Sequence, residues 1–119
     1  ALSKALAEKK GIRRFGSAYV PMEDSLARAV IDLSRRPYVN LELKFASKEI
    51  EDLTTEDIEH FFNSLAQASR SNVHLAVLYG TNDHHKIEAA VKALALALQE
   101  AVTLESRAGF EIPSAKGVL

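Results

Sequence analysis

Val73-His74-Leu75-Ala76-Val77-Leu78-Tyr79, then Gly80-Thr81-Asn82-Asp83, then His84-His85-Lys86-Ile87-Glu88, is the stretch on which the reading of this chain turns. Its first part is rich in β-formers and reads as a well-covered strand. Gly80 to Asp83 is a turn that also supplies helix N-cap residues. From about His84 the period changes. Ile87, Val91, Leu94 and Leu98 recur at helical spacing and predict a helix to about Val102, with those residues as its core stripe. A strand that hands over to an amphipathic helix through a polar turn points to a mixed α and β layer structure.

Working upstream, Thr54 and Asp57 have capping-box spacing and open a second helix, with Ile58, Phe61, Phe62 and Leu65 as its apolar stripe. His60 lies roughly 150° around that helix from the stripe, at about 100° per residue. In Tyr38 to Phe45, Val39, Leu41, Leu43 and Phe45 alternate with polar neighbours or tyrosine, the mark of a strand with one wet face. Ser17 to Met22 reads as another strand. Ser25 to Arg35 stays open at this level: Leu26, Ala29, Val30 and Leu33 fit a helix, while Ala27, Ala29, Ile31 and Leu33 fit a strand equally well. Ala1 to Lys10 is a run of helix formers without an N-cap, stopped at Gly11, and reads as the end of a longer helix. Its Ala-Leu pattern echoes Ala93 to Leu98, as in a duplicated protein.

The 119 residues suit one domain, and 47% apolar with 26% charged residues is an ordinary globular composition. A net charge of -1 gives no electrostatic reason to expect nucleic acid or anionic lipid as a partner. No apolar run is long enough to cross a bilayer, and a cytoplasmic location is the expectation. The absence of cysteine removes disulfides, thiolate zinc sites and cysteine nucleophiles from consideration.

The richest chemistry gathers at the start of the last helix. His84 and Glu88 are four apart and His85 and Glu88 three apart, so these side chains share one side of a helix. Adjacent histidines diverge by about 100°, which suits two metal ions, or a metal and a substrate, better than one shared ion. Imidazole with carboxylate and no thiolate suits a first-row divalent ion. The competing reading is a solvated helix start whose acids answer the macrodipole, with a Glu88–Lys92 pair. His60 is a further candidate ligand beside the simpler reading of a surface histidine, and His74, inside its strand, reads as structural. Arg14, Arg36, Ser114 and Lys116 have the chemistry of a phosphate site, although nothing in the spacing alone brings them together.

Gly80-x-Asn82-x-His84-His85-x-x-Glu88-Ala89 with Lys92-Ala93 resembles the second metal-binding motif of the imidazoleglycerol-phosphate dehydratase family. The resemblance continues in order through Gly11-Ile12-Arg13-Arg14-Phe15-Gly16, Val20-Pro21-Met22-Glu23-Asp24, Asp32-Leu33-Ser34-Arg35-Arg36-Pro37, Glu59-His60-Phe61-Phe62 and Pro113-Ser114-Ala115-Lys116-Gly117. It implies an α+β half-sandwich of βββαβα type, similar to the second domain of ribosomal protein S5 and the second of two duplicated repeats. Residues 1–10 would then close a first repeat, and residues 11–119 would form the second with an active-site tail. It also implies that Ser25 to Arg35 is a strand.

The resemblance carries functional expectations onto individual residues. His60, His84, His85 and Glu88 match metal ligands, and Arg14, Arg36, Ser114 and Lys116 match residues that hold a substrate phosphate. Glu88, Lys92 and Glu23 fall at catalytic positions, although Glu23 stands where Asp is common and Arg35 where Gly is usual. The implied activity is a Mn²⁺-dependent hydro-lyase of histidine biosynthesis, with two Mn²⁺ per complete site, converting imidazole glycerol phosphate to imidazole acetol phosphate. Two ions would bind the imidazole as its anion, so that proton and hydroxide leave through a diazafulvene-like intermediate. Family members gather trimers into a shell of about 24 subunits with sites shared between chains. A catalytically incomplete fragment and a small metal-binding module of the same fold are the alternatives.

Overall fold

The segment that periodicity leaves open is a strand. In the computed structural model, which describes residues 11–104, Ser25–Asp32 is β2, with Ser25, Ala27, Ala29 and Ile31 buried on one face. Alternation prevails over helical spacing because both edges of this segment are paired. It runs antiparallel to β1 (Phe15–Met22) on one side and to β6 (Asn72–Tyr79) on the other. β3 (Tyr38–Glu42) adds to β6 in parallel, giving the order β1-β2-β6-β3. Helix α1 (Thr55–Ser69) crosses from the β3 end of the chain to β6, and α2 (Asp83–Ala101) follows β6. This is the expected βββαβα order with one addition, a small hairpin of β4 (Glu49–Ile50) and β5 (Leu53–Thr54) ahead of α1. The expected helix at residues 1–10 and the tail bearing Ser114 and Lys116 lie outside the described residues.

Both helix starts are capped as their sequences suggest. Thr54 Oγ1 accepts from Asp57 N at 3.0 Å, and Asn82 Oδ1 accepts from His85 N at 3.0 Å. The buried stripes, however, differ from the expected ones. In α2 the side chains against the sheet are Ala89, Ala90, Ala93, Leu94, Ala97 and Ala101, while Val91 is 48% exposed. In α1 the buried positions are Ile58, Phe62, Ala66 and Ser69, and Phe61 is 58% exposed. Two apolar stripes run down α2, and the alanine one faces the sheet because small side chains allow the closer approach. The strands answer in kind with Gly16, Ala27 and Ala29. A Cβ on Gly16 would lie 1.8 Å from the carbonyl oxygen of Ala97. Val91, on the face of α2 turned from the sheet, and Phe61 of α1 join Leu53, Ile58, Phe62 and Ile87 in an apolar groove of about 280 Å³ between the helices.

A second tie fixes the first turn of α2. The Asp83 carboxylate accepts from the amides of Ala46 and Ser47 at 2.9–3.1 Å and from Ser47 Oγ at 2.8 Å. It also pairs with the buried ammonium of Lys86 at 3.2 Å, which donates to the Lys44 carbonyl at 2.6 Å. Burial raises the Asp83 carboxyl pKa, but the Ala46 amide, the Ser47 hydroxyl and amide, and Lys86 outweigh it and bring the value to about 2. The loop after β3 is thereby fastened to the start of α2.

Substitutions at these contacts have defined outcomes in chemical unfolding. Gly16→Ala should cost about 3 kcal/mol, because the new methyl meets helix backbone that cannot move aside without lifting α2. Arg35 has φ 68, a left-handed conformation, so Arg35→Gly should raise stability by about 1 kcal/mol. Asp83→Ala should cost about 3 kcal/mol by leaving Lys86 buried without a counter-charge, and adding Lys86→Met should recover part of that loss.

Candidate metal and active site

The first turns of α2 project His84, His85 and Glu88 from one end of the sheet. His84 is half-exposed and bracketed by two carboxylates, with Nδ1 3.3 Å from Glu51 Oε1 and Nε2 3.7 Å from Glu88 Oε2. Glu88 also meets Lys92 Nζ at 3.4 Å. The His85 ring stands 6.2 Å from that of His84 with the planes at 73°, so the two imidazoles address different directions.

His85 is anchored by a residue that sequence reasoning did not single out. Asp24 sits in the two-residue turn between β1 and β2, and its Oδ1 lies 2.5 Å from His85 Nδ1. Its Oδ2 accepts from Thr81 N at 2.7 Å, Asn82 N at 2.9 Å, Thr81 Oγ1 at 3.2 Å and Ser25 Oγ at 3.1 Å. The Asn82 amide, His85 and the Thr81 amide hold the Asp24 carboxyl far below the usual carboxylate range. Gly80 is what lets this turn approach: it has φ 154, and a Cβ there would lie 2.3 Å from Ser25 Oγ. The signal for Asp24 was its place, an acid in a tight hairpin turn, but the resemblance drew attention to its neighbour. Glu23 occupies the other turn position at φ 51, and its side chain makes no hydrogen bond or ion pair among the described residues.

The donor set suits a first-row divalent ion in kind, and His84 and Glu88 converge closely enough to serve one. It is incomplete in number, because among the described residues no three His, Asp or Glu side chains gather as a cation group. His60 stands exposed on α1 with Nε2 3.4 Å from Ser64 Oγ, and does not join His84, His85 and Glu88 in one cluster. His74 lies on the outer face of the sheet, with Nε2 2.8 Å from Asn72 Oδ1 and its ring 5.5 Å from that of Tyr38.

The two described members of the phosphate set lie at the far end of the fold. The Arg14 amide donates to the carbonyl of Ala101, the last residue of α2, at 2.9 Å. Arg36 follows Asp32, which pairs with Phe15, and precedes Tyr38, which pairs with Asn72, so it shares that end. The run of α2 from His84 to Ala101 therefore separates Arg14 and Arg36 from His84 by about 26 Å at ~1.5 Å per residue. Arg14 is already engaged: Nε and Nη2 donate to the Asp32 carboxylate at 2.7 and 3.4 Å, and its guanidinium lies 5.0 Å from the Phe15 ring centroid. Ser114 and Lys116 fall outside the described residues.

Comparison with known proteins identifies the family and the fold. The model of the family described as imidazoleglycerol-phosphate dehydratase matches residues 1–98. An imidazoleglycerol-phosphate dehydratase of Chloroherpeton thalassium is 50% identical over the whole of this chain, which covers 60% of that protein. The Bacillus subtilis protein of the same name is 49% identical over the whole chain, which covers 61% of it. The chain thus spans about 60% of the length of these curated relatives. The crystal structure of imidazoleglycerol-phosphate dehydratase from Staphylococcus aureus superposes with a TM-score of 0.84 at 36% identity, covering 87% of this chain and 61% of that one. The Pyrococcus furiosus enzyme superposes with a TM-score of 0.79, also at 36% identity, over 99% of this chain and 65% of that one. With the family model matching most of its length and the same α+β fold in the solved relatives, this chain belongs to the imidazoleglycerol-phosphate dehydratase family.

Proposed function

We propose that this chain supplies part of the active site of a Mn²⁺-dependent dehydratase that converts imidazole glycerol phosphate to imidazole acetol phosphate in histidine biosynthesis. The observation that carries this reading is the first turn of α2, where His84 and Glu88 converge at 3.7 Å beside a separately anchored His85. That is a place where a family of dehydratases would hold metal. His60 joins as a ligand when donors from other chain segments complete the set. Mn²⁺ bound there would stabilise negative charge on the substrate imidazole.

The chain's own residues supply binding and proton handling. Arg14 and Arg36, with Ser114 and Lys116, hold the phosphate and fix the substrate's direction without reacting. Asp32 pins one edge of the Arg14 guanidinium and leaves Nη1 for the anion. Glu23 presents a carboxylate at the α2 N-terminal end, available to accept the proton lost from the side-chain carbon next to the ring. Glu88 and Lys92, 3.4 Å apart, place opposite charges beside the departing hydroxide.

The 19-residue length of α2 between the two sets argues that they serve different substrate molecules. A substrate of this size cannot reach from one end of α2 to the other. A symmetric assembly that brings the Arg36 end of one subunit to the His84 end of another meets the requirement, consistent with trimers building a larger shell. The apolar groove between α1 and α2 suits coverage by the other repeat.

Three results would test this reading in the full-length protein. Chelation should abolish dehydratase activity, and Mn²⁺ should restore it. Arg36→Ala and His84→Ala should each remove activity by 100-fold or more, about 3 kcal/mol of transition-state stabilisation. Dissociated and reassembled together in equal amounts, the two inactive variants should regain about a quarter of wild-type activity, since one site in four then draws both intact sets from different subunits. No recovery in verified mixed assemblies would mean that both sets act within one chain.

A further inference from the structure

Asp24 is tied to more of the site than any residue assigned a role above, and its two oxygens do different work. Oδ2 is saturated by the Thr81 and Asn82 amides and the Thr81 and Ser25 hydroxyls, so the carboxylate plane is fixed by the backbone of the β6–α2 turn. Oδ1 is left facing His85 Nδ1. The main chain of His85 is held independently by the Asn82 cap. Ring and backbone of one histidine are thus fixed by adjoining parts of a single network, whereas His84 meets only half-exposed or exposed carboxylates.

From this geometry we infer that Asp24 is a positioning residue that sets the His85 tautomer, placing the proton on Nδ1 and the lone pair on Nε2 for a divalent metal ion. The inference rests on the proposed dehydratase reading, in which His85 is a metal ligand. The chemistry follows from donor and acceptor counts. An ionised carboxylate only accepts, so a neutral imidazole facing Oδ1 must donate from Nδ1, which leaves Nε2 as its sole basic nitrogen. A ligating imidazole whose second nitrogen donates to a carboxylate is a recurrent arrangement that raises ligand basicity and fixes ring direction.

The isosteric amide separates this role from simple support. In Asp24→Asn, the side chain has one accepting oxygen and one donating nitrogen. The two amides and the Thr81 hydroxyl facing the Oδ2 position require the oxygen there, which turns the NH₂ group toward His85. Nδ1 must then accept, the proton moves to Nε2, and the nitrogen meant for the metal loses its lone pair. His85 keeps its place in the fold while presenting the wrong face.

Long-range ¹H–¹⁵N spectra of the metal-free full chain, at alkaline pH where imidazoles are neutral, read the tautomer directly. Wild-type His85 should carry its proton on Nδ1, and Asp24→Asn should carry it on Nε2. Mn²⁺ binding, followed by the electron paramagnetic resonance of free Mn²⁺, should weaken about 10- to 100-fold in Asp24→Asn. A wild-type proton on Nε2 would overturn the inference, and this measurement stands even if the variant does not fold. So would an unchanged tautomer in a folded Asp24→Asn. His85→Ala distinguishes the two levels of failure. If it weakens Mn²⁺ binding while Asp24→Asn does not, the positioning role is wrong; if neither weakens it, the ligand assignment of His85 is wrong.

Discussion

The close seating of α2 on β1 and β2 is the contact on which the rest depends. It is made of alanine on the helix and of glycine and alanine on the strands, with the Gly16 Cα against the Ala97 carbonyl. Small residues forgo side-chain burial but gain backbone proximity, and proximity transmits position with little slack. With α2 seated this closely, its first turn meets the β1–β2 turn and its last turn meets Arg14. The two ends of one helix thereby hold apart the two sets of proposed site residues.

At the N-terminal end, rigidity is distributed unevenly. Asp83 and Lys86 fasten the β3–β4 loop, and Asp24 fastens the β6–α2 turn and His85. His84, Glu51 and Glu88 stand in solvent with longer contacts. A preorganised donor beside adjustable ones suits a site whose remaining groups arrive from elsewhere, since the fixed donor sets direction and the others adapt.

Much of this fold was legible in the sequence, for identifiable reasons. The Tyr38 to Phe45 alternation, although the strand itself ends at Glu42, the Thr54 and Asn82 caps and the β6-to-α2 handover rest on local periodicity and turn chemistry. Ser25 to Arg35 was not legible locally, because Ala29 and Leu33 satisfy both periods; the resemblance implied a strand, which runs over Ser25–Asp32. Helical spacing alone places Phe61 and Val91 in the core stripes, whereas both are about half exposed, at 58% and 48%. The α2 contact instead rewards small size, and that preference depends on what the opposing strand carries. In the candidate site, the shared place of His84, His85 and Glu88 on one helix was visible by spacing. Asp24 was not, since its partners Thr81, Asn82 and His85 lie about 60 residues away and only strand pairing brings them near. The separation of Arg36 from His84 was equally invisible, being set by the run of α2 across the sheet.

The separation of the two residue sets is the claim with the widest consequence, and one measurement addresses it most directly. A density map of the full-length Mn²⁺-loaded assembly with inorganic phosphate bound would display both sets at once. The expected map has each phosphate contacted by Arg36 of one subunit and each neighbouring metal by His84 of another. A phosphate and a metal held side by side by Arg36 and His84 of the same chain would contradict it.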